Sequence, residues 1–569
     1  MTMKKTLLAS AILTAMLTAC GGGSSSDSTP TPSNSAPTDI ALSNASVDEN
    51  ATAATIGQLS ATDADAGDTF TFSSSDARVA IDGTTLSLAE GVKLNFEDTA
   101  SIDVEVSVAD SAGNSFSKTL TISVNDLLDT YAFPSRFGDG SSVSYGGQTT
   151  RHVLIAELNH YIGNQLQNDV ETGVLTTKDA VIAKLTSFYA MTAEEYDLVA
   201  DDFAVQFLDG TRQTVLRDLS SSHKDLSGKI AGNDATGQHK DWNGSDFAGW
   251  GATGSTTPEN LVYTLFDMLG DNAQAYLDGG IRQDINGNAI TSIYLTEDGR
   301  DLKQLIQKFL LMSVAYSQGA DDYLDYDLDG KGLNSDNVSN KDDKGYTALE
   351  HTYDEGFGYF GAARDYLDYS DDELAQKGGR DDWQGMHDTN GDGVIDLNSE
   401  YNFGQSTNAA KRDRGATVAT DMTAAAMNAF LQGRQIITDA DGALTTEQMD
   451  ALKAQVAIAL ENWEMAIVAT VVHYINDTHA DLAKLAAADE AFSYSDLAKH
   501  WSEMKGFALG LQFNRMTPLT DAQFEQLHSL IGDMPVMSGD IAAYQADLMT
   551  ARQLLADAYE IAADNAANW

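Results

Sequence analysis

Residues 444–482 read LTTEQMDALKAQVAIALENWEMAIVATVVHYINDTHADL, and this stretch decides the fold of most of the chain. Thr445-Thr446-Glu447 is a pattern typical of a helix start. Apolar residues then recur at spacings of three and four, which predicts one long helix with an apolar face. Similar patterns predict further helices over 150–168, 176–190, 259–278, 299–318, 346–368, 415–435, 493–513, 520–532 and 538–565.

These helices make residues 130–569 the dominant part of the predicted fold. Three long polar insertions interrupt them, at about 210–257, 320–345 and 378–405. Short connections between amphipathic helices favour a bundle, and the insertions add long loops to it. The predicted fold class is therefore mainly α, with a large α-helical bundle domain preceded by a small β domain.

The small β domain is predicted from residues 37–127. Runs of alternating apolar and polar residues recur there, and Gly- and Asp-containing turns separate them. Several short strands at this spacing predict a β-sandwich. The runs are Thr69–Ser73, Thr85–Leu88, Ile102–Val108 and Phe116–Val124.

Acidic residues in the same segment fall in a characteristic order, Asp48-Glu49-Asn50, Asp63-Ala64-Asp65 and Val124-Asn125-Asp126 among them. This order resembles a cadherin-like repeat. The resemblance implies that the acidic groups gather at one end of the domain and bind Ca²⁺, which prefers carboxylate oxygens. The alternative is a rigid spacer with acidic loops. The implied ligands are Glu49, Asp63, Asp65, Glu97 and Asp110.

The first residues carry the features of a secretory leader. Lys4 and Lys5 precede an apolar run from Leu7 to Leu17, which is shorter than the ~20 residues needed to span a bilayer. Leu17-Thr18-Ala19-Cys20 resembles a bacterial lipobox, which implies a leader over 1–19 and a lipid on Cys20. Gly21 after the cysteine implies an outer-membrane lipoprotein, at the cell surface or on the periplasmic face. The alternative is an ordinary leader with a chance cysteine. Residues 20–36 then form a Gly/Ser/Pro tether.

Composition excludes several classes of function. Cys20 is the only cysteine, so disulfides, thiolate metal sites and cysteine catalysis are excluded and any metal needs oxygen or imidazole ligands. The chain has 85 acidic and 34 basic residues and a formal charge of −51, which excludes nucleic-acid binding. After the leader we expect no further stretch that is long and apolar enough to cross a membrane, so the lipid is the predicted anchor.

The sharpest local motif is DTNGDGVID at 388–396. Oxygen-bearing residues at positions 1, 3, 5 and 9 with glycine at position 6 match an EF-hand-type calcium loop. Position 12 is Ser399, and the acid that would close the loop, Glu400, comes one residue late. We predict a structural Ca²⁺ here. The predicted ligands are Asp388, Asn390, Asp392, the Val394 carbonyl, Asp396 and Glu400.

Three helices carry histidines at spacings that could serve a metal. His351 and Glu355 are four residues apart and share a face. His500 and Glu503 also share a face, and His473 lies on the long helix. Carboxylate-bridged metal bundles use Glu-x-x-His, the reverse order. These residues are predicted to bind a metal or ligand, and the alternative is a set of hydrogen-bonded core histidines.

Four strings together resemble a family of bacterial lipoproteins, domain of unknown function 4856. They are YAFP at 131–134, GQTTR at 147–151, DEGFGYFG at 354–361 and HWSEMKGF at 500–507. The family resemblance implies no enzymatic role. It implies the setting of imelysin-like proteins, which are surface or periplasmic lipoproteins linked to iron uptake, with an outer-membrane transporter as a possible partner.

The resulting hypothesis is a membrane-anchored lipoprotein that binds metal in iron or iron-complex acquisition, with structural Ca²⁺. The alternative is a surface adhesion protein whose scaffold Ca²⁺ stiffens. A metallopeptidase is disfavoured because the His-Glu-x-x-His helix of zinc peptidases is missing.

Overall fold

The computed structural model describes residues 34–49, 51, 53–94, 96, 99–125, 128–234 and 238–569. The leader, Cys20, most of the tether and Glu97 lie outside the described residues. The chain divides into two units, one ending at Leu127 and one spanning Leu128–Trp569. Each unit has its own buried core.

The first unit contains two four-stranded sheets, with strand orders β1-β3-β6-β5 and β2-β8-β7-β4. All pairs are antiparallel except β2 with β8, which is parallel. In β7 the residues Ile102, Val104, Val106 and Val108 are buried in alternation with exposed neighbours, as the period of a strand requires. The strands are β1 Asp39–Leu42, β2 Ser46–Asp48, β3 Thr55–Thr62, β4 Thr71–Ser74, β5 Val79–Asp82, β6 Thr85–Leu88, β7 Ser101–Ala109 and β8 Ser115–Asn125.

The second unit is helical. Its helices are α1 Gly146–Asn164, α2 Leu166–Glu171, α3 Lys178–Tyr189, α4 Ala193–Val199, α5 Leu216–Leu219, α6 Pro258–Leu277, α7 Leu302–Leu310, α8 Ala348–Phe360, α9 Asp371–Leu374, α10 Gly404–Arg414, α11 Met422–Asp439, α12 Thr446–Ala486, α13 Tyr494–Ala508, α14 Asp521–Ile531, α15 Ile541–Ala558 and α16 Ala563–Asn568. Thr445 caps α12 by accepting the Gln448 backbone N–H, as the sequence pattern predicts.

The predicted fold class is wrong. The chain is 46% helical and 11% strand, and its strands lie in two small sheets that do not form a clear β-sandwich. Period-2 alternation identifies single strands but carries no information about which strands pair. In the second unit, long segments such as 278–301 and 375–403 contain no helix, so the helices do not make a regular bundle.

Helix α12 lies at the centre of the second unit. It packs against α10, α11, α13 and α15, and Trp463, Ile467 and Val471 are fully buried. By length and composition α12 could cross a membrane, contrary to the sequence expectation, but 67% of its most apolar window is buried inside the unit. The apolar residues of α12 are therefore used as protein core.

After α7 the chain continues as two π-helical segments, Leu311–Tyr316 and Gly319–Tyr323. π-Helical turns are rare and often mark functional sites. They aim three polar side chains at buried partners. The Tyr316 hydroxyl donates to Glu464 Oε2 at 2.6 Å, and Asp321 Oδ1 lies 2.8 Å from His239 Nδ1. Gly319 is required because a Cβ there would lie 2.7 Å from the Trp463 ring.

A buried arginine fixes α8 against α11. Arg434 is fully buried, and its Nε donates to Asp354 Oδ1 at 2.9 Å. Its second partner is Glu350, at 3.3 Å. Removing one member of such a group would leave an unpaired buried charge, which is strongly destabilising. This ion-pair group therefore sets the position of the helix that carries His351 and Glu355.

Candidate metal sites

The predicted calcium ligands of the first unit come together only in part. Carboxylate oxygens of Asp63, Asp68 and Asp110 lie within 4.8 Å of one another. Asp63 Oδ2 is buried and has no hydrogen-bond partner among the described residues. Asp110 Oδ1 is held by the backbone N–H groups of Ala112 and Asn114, at 2.9 and 2.8 Å. Three converging carboxylates can hold a hard cation.

The remaining predicted ligands of this unit point elsewhere. Asp65 Oδ2 accepts the Ser35 backbone N–H at 2.6 Å. Glu49 is buried, and its Oε2 accepts the Phe96 N–H at 2.7 Å. Asp68 was not among the predicted ligands. It follows the Ala66-Gly67 turn, and that turn returns it toward Asp63.

The loop at 388–400 closes on itself through Glu400. The Glu400 Oε1 accepts the Asn390 backbone N–H at 3.2 Å and its side-chain amide at 2.9 Å. Oε2 accepts the Asp396 N–H at 2.8 Å. Asp388 Oδ1 accepts the Asp392 N–H at 3.1 Å, and Gly391 has a φ of 72°, which suits glycine. Thus the late acid reaches into the loop despite its one-residue offset.

Arg212 shares this loop. Its guanidinium pairs with Asp392 and lies 3.4 Å from Asp396 Oδ2. The neighbouring Gln213 amide donates to Asp396 Oδ1 at 2.8 Å. Arg212 therefore neutralises two predicted ligands, and a calcium ion would have to displace this guanidinium from Asp392. The Val394 carbonyl has no contact here that tests its predicted role.

His351 and Glu355 do face one way, with Nε2 and Oε1 3.7 Å apart. Each is already engaged. His351 Nδ1 donates to the Ser144 carbonyl at 3.0 Å and its ring stacks on Tyr346, while Glu355 Oε1 accepts the Gln148 amide at 2.9 Å. Among the described residues, no third ligand-bearing side chain completes a cluster at this pair.

A charged interior group surrounds Glu355. Arg151 is buried and lies within electrostatic range of Glu355, Tyr323 and Tyr359. Asp322 belongs to the same group, because burial and then the charge of Asp234 raise its pKa to about 7. These residues hold opposite charges in one interior, so the conserved-looking string at 354–361 is used for internal electrostatics as well as packing.

The second histidine pair is different, since two helices bring it together. Asp477 Oδ2 lies 3.4 Å from His473 Nε2 and 3.9 Å from His500 Nε2. His473 and Asp477 are on α12, and His500 is on α13. The separations exceed an N–H···O hydrogen bond. They approach the roughly 3.3 Å between two ligands on a tetrahedral ion with bonds of about 2.0 Å.

A carboxylate on the far side orients His500. Its Nδ1 lies 2.8 Å from Asp481 Oδ2, and Asp481 is also paired with Lys484 at 2.9 Å. Metal-binding histidines characteristically donate their other N–H to such a carboxylate. The side chains of His473, Asp477 and His500 are 30, 36 and 20% exposed, so the side facing solvent stays open.

The electrostatics of the two rings differ. Burial, and then the charge of Arg412, lower the pKa of His473 to about 4, so this ring is neutral at neutral pH. Burial also acts to lower the pKa of His500, but the hydrogen bond to Asp481 and the charge of Asp477 outweigh it and raise that pKa.

Glu503 does not join this group, although it shares a face of α13 with His500. Its Oε1 pairs with Lys308 Nζ at 3.1 Å, and it hydrogen-bonds to Tyr474. Sequence reasoning also missed Asp477 as a ligand. Its signal was the His-x-x-x-Asp spacing on α12, which places both side chains on one face.

No curated protein matches the chain. Residues 129–387 match a family model, which confirms the predicted family resemblance over that segment. The match includes His351 and Glu355 and ends before the loop at 388–400 and the His473–His500 pair. Over residues 129–387 the protein is therefore similar to the family described as Domain of unknown function (DUF4856), a family without a known activity.

Proposed function

We propose that the protein is a membrane-anchored lipoprotein that binds a transition metal, in iron or iron-complex acquisition, through His473, Asp477 and His500. One observation carries this proposal. A single carboxylate oxygen of Asp477 lies between the Nε2 atoms of two histidines from different helices, at 3.4 and 3.9 Å.

The chemistry of this donor set favours Fe²⁺. Two imidazoles and one carboxylate with open positions form the ligand set of non-haem iron sites, and imidazole also suits Zn²⁺ and Cu²⁺. The described residues include no thiol, which disfavours softer ions. Asp481 holds His500 in orientation. The open solvent side would leave room for a ligand of the metal or for a partner that delivers it.

The cellular setting rests on the sequence. The lipobox-like Leu17-Thr18-Ala19-Cys20 supports lipid anchoring at the outer membrane. The resemblance to imelysin-like lipoproteins supports a link to iron uptake and an outer-membrane transporter as partner. The proposal is a binding function without catalysis, with Ca²⁺ as a structural ion.

Metal titration of the purified chain tests the proposal. After chelation, anaerobic Fe²⁺ and, separately, Zn²⁺ are titrated calorimetrically into wild type, His473→Ala, His500→Ala and Asp477→Asn. The matched control is His479→Ala, because His479 is on the same helix and does not contact the cluster. We expect about one metal per chain, with affinity lowered on the order of 100-fold or more in the three variants.

Two results would contradict the metal-binding proposal. One is the absence of Fe²⁺ and Zn²⁺ binding tighter than millimolar in wild type. The other is unchanged affinity in the His473→Ala/His500→Ala double variant that still unfolds at the wild-type temperature.

A surface binding or adhesion protein is the second candidate function. Asp63 Oδ2 favours it, because this buried oxygen has no partner beside two further carboxylates. Ca²⁺ would relieve the repulsion and stiffen the first unit. Ca²⁺ titration of Asp63→Asn and Asp110→Asn, with exposed Asp82→Asn as control, tests this. Calcium binding at these residues without any transition-metal binding would make adhesion the leading function.

A further inference from the structure

The second unit contains a cavity that differs in charge from the rest of this acidic chain. It has a volume of about 320 Å³ and lies between α1, α7 and the start of α10. None of its lining side chains is a carboxylate, although the chain has 85 acidic residues. Amide side chains from several elements line it, together with Lys303. Its volume is at the lower end of the range of ligand pockets.

His152 supplies an unpartnered acceptor to this cavity. It is 3% exposed, and its Nε2 lies 3.2 Å from the Tyr359 carbonyl. A carbonyl only accepts, so Nε2 carries the proton and Nδ1 carries a lone pair. Nδ1 is buried and has no partner among the described residues. Burial lowers the pKa of His152 to about 4, so the ring is neutral.

A second acceptor in the cavity is in the same state. Asn159 is two turns along α1 from His152, and its Oδ1 is buried without a partner among the described residues. An unsatisfied buried acceptor costs about 1–3 kcal/mol. Two of them in one cavity call for a ligand that donates hydrogen bonds.

Aromatic rings form part of the wall. Phe403 stacks on His152 with ring centroids 4.8 Å apart, and Tyr401 meets Phe403 edge-on at 4.7 Å. Phe207 contacts Tyr401 in turn, at 5.7 Å. The negative faces of aromatic rings attract the positively polarised C–H groups of a ligand.

We propose that this cavity binds a small hydroxyl-rich ligand of the carbohydrate class. Sugar hydroxyls can donate to His152 Nδ1 and Asn159 Oδ1 and accept from amide groups and Lys303. The C–H face of a sugar suits the aromatic wall. A metal ion is disfavoured because no carboxylate lines the cavity, and a purely apolar ligand would leave both acceptors unsatisfied.

This proposal is independent of the metal site, since none of the three metal-binding residues lines the cavity. The test uses the full chain and calorimetric titration with glucose, galactose, N-acetylglucosamine and maltose, with acetate and benzamidine as non-sugar probes. The variants are Asn159→Leu and His152→Phe. Asn168→Ala, an exposed residue on α2, is the control.

We expect at least one sugar to bind wild type with a Kd below about 10 mM and to bind Asn159→Leu and His152→Phe at least tenfold more weakly. Asn168→Ala should bind as wild type does. Circular dichroism melting identifies any variant that fails to fold, and Asn159→Leu, at a half-buried site, is the milder of the two. Binding of acetate or benzamidine alone, absence of sugar binding, or equal binding by all folded variants would overturn the proposal.

Discussion

Asp322 is a carboxyl group that folding places where its charged form is disfavoured. Burial is the main cause and the charge of Asp234 the next, and together they raise its pKa to about 7. Lys229 and Lys331 oppose the shift but do not cancel it. The folded protein therefore binds this proton more tightly than the unfolded chain does, whose carboxyl has the ordinary pKa of 3.8.

The sign of the pH dependence follows from linkage. Because the pKa is higher in the folded state, stability is greatest at low pH and falls as pH rises from about 4 to 7. Asp322→Asn keeps the shape and removes the titration. We expect its stability advantage over wild type to grow between pH 5 and pH 8, by on the order of 2 kcal/mol.

Urea unfolding of both proteins at pH 5 and pH 8 measures this difference. Asp329→Asn, which changes an exposed carboxylate in the next turn of chain, is the matched control and should show no such trend. A stability difference between Asp322→Asn and wild type that is the same at both pH values would show that the Asp322 carboxyl titrates normally.

Residue type was predictable from sequence, and residue partnership was not. His473 and His500 were predicted as ligands, and the structure brings them to one carboxylate. Glu503 was predicted with them because it shares a helix face with His500. A face spacing, however, does not say what packs across from it, and Lys308 on α7 takes Glu503.

At the scale of elements, the loop at 388–400 combines a predictable half and an unpredictable half. The DTNGDG string predicts the turn and its first oxygens from local geometry. The closure depends on a pairing that the string does not contain. Met386 forms a bridge with Tyr401, and this bridge brings Glu400 back to Asn390 and Asp396.

We predict that Ca²⁺ raises the melting temperature of the second unit and that Glu400→Gln removes most of this effect. The amide keeps the size of Glu400 but loses the charge that a calcium ion needs at the end of the loop. Differential scanning calorimetry with EDTA and with millimolar Ca²⁺ measures the shift. Ser399→Ala, at the formal twelfth position, should respond to Ca²⁺ as wild type does. A full Ca²⁺ response in Glu400→Gln would exclude Glu400 as a ligand.

Helices were the elements that sequence predicted best. The helix predicted over 444–482 is found as α12, Thr446–Ala486, and the one over 520–532 as α14, Asp521–Ile531. Both begin at threonine caps that a local pattern encodes. The π-helical segments were not predicted, because their widened turns answer to distant partners such as Glu464 and His239.

At the scale of the whole molecule, the chain divides at Leu127 into units with separate cores. The fold class could not be predicted correctly, since strand alternation did not give the pairing into two small sheets. The long helix-free segments of the second unit have few apolar periodicities, so their routes depend on contacts such as the Thr211–Ile395 bridge.

Two cores predict two unfolding transitions. We expect calorimetry to resolve them, with Fe²⁺ raising only the transition of the second unit, because a ligand stabilises the unit that binds it. Ca²⁺ should raise the transition of the second unit and, if Asp63, Asp68 and Asp110 bind it, that of the first. Asp477→Asn should cancel the Fe²⁺ shift and leave the first transition unchanged. One cooperative transition that Fe²⁺ moves as a whole would contradict separate unfolding.

The π-helical segments at 311–323 have a consequence for sequence change. A π turn holds one more residue than an α turn, so deleting one residue there would restore an ordinary helix and rotate everything after it by about 100°. Tyr316 and Asp321 lie in different segments and serve different partners. A deletion between them would keep one partnership and lose the other. Insertions and deletions, more than substitutions, are therefore the changes by which such a chain could exchange one interior site for another.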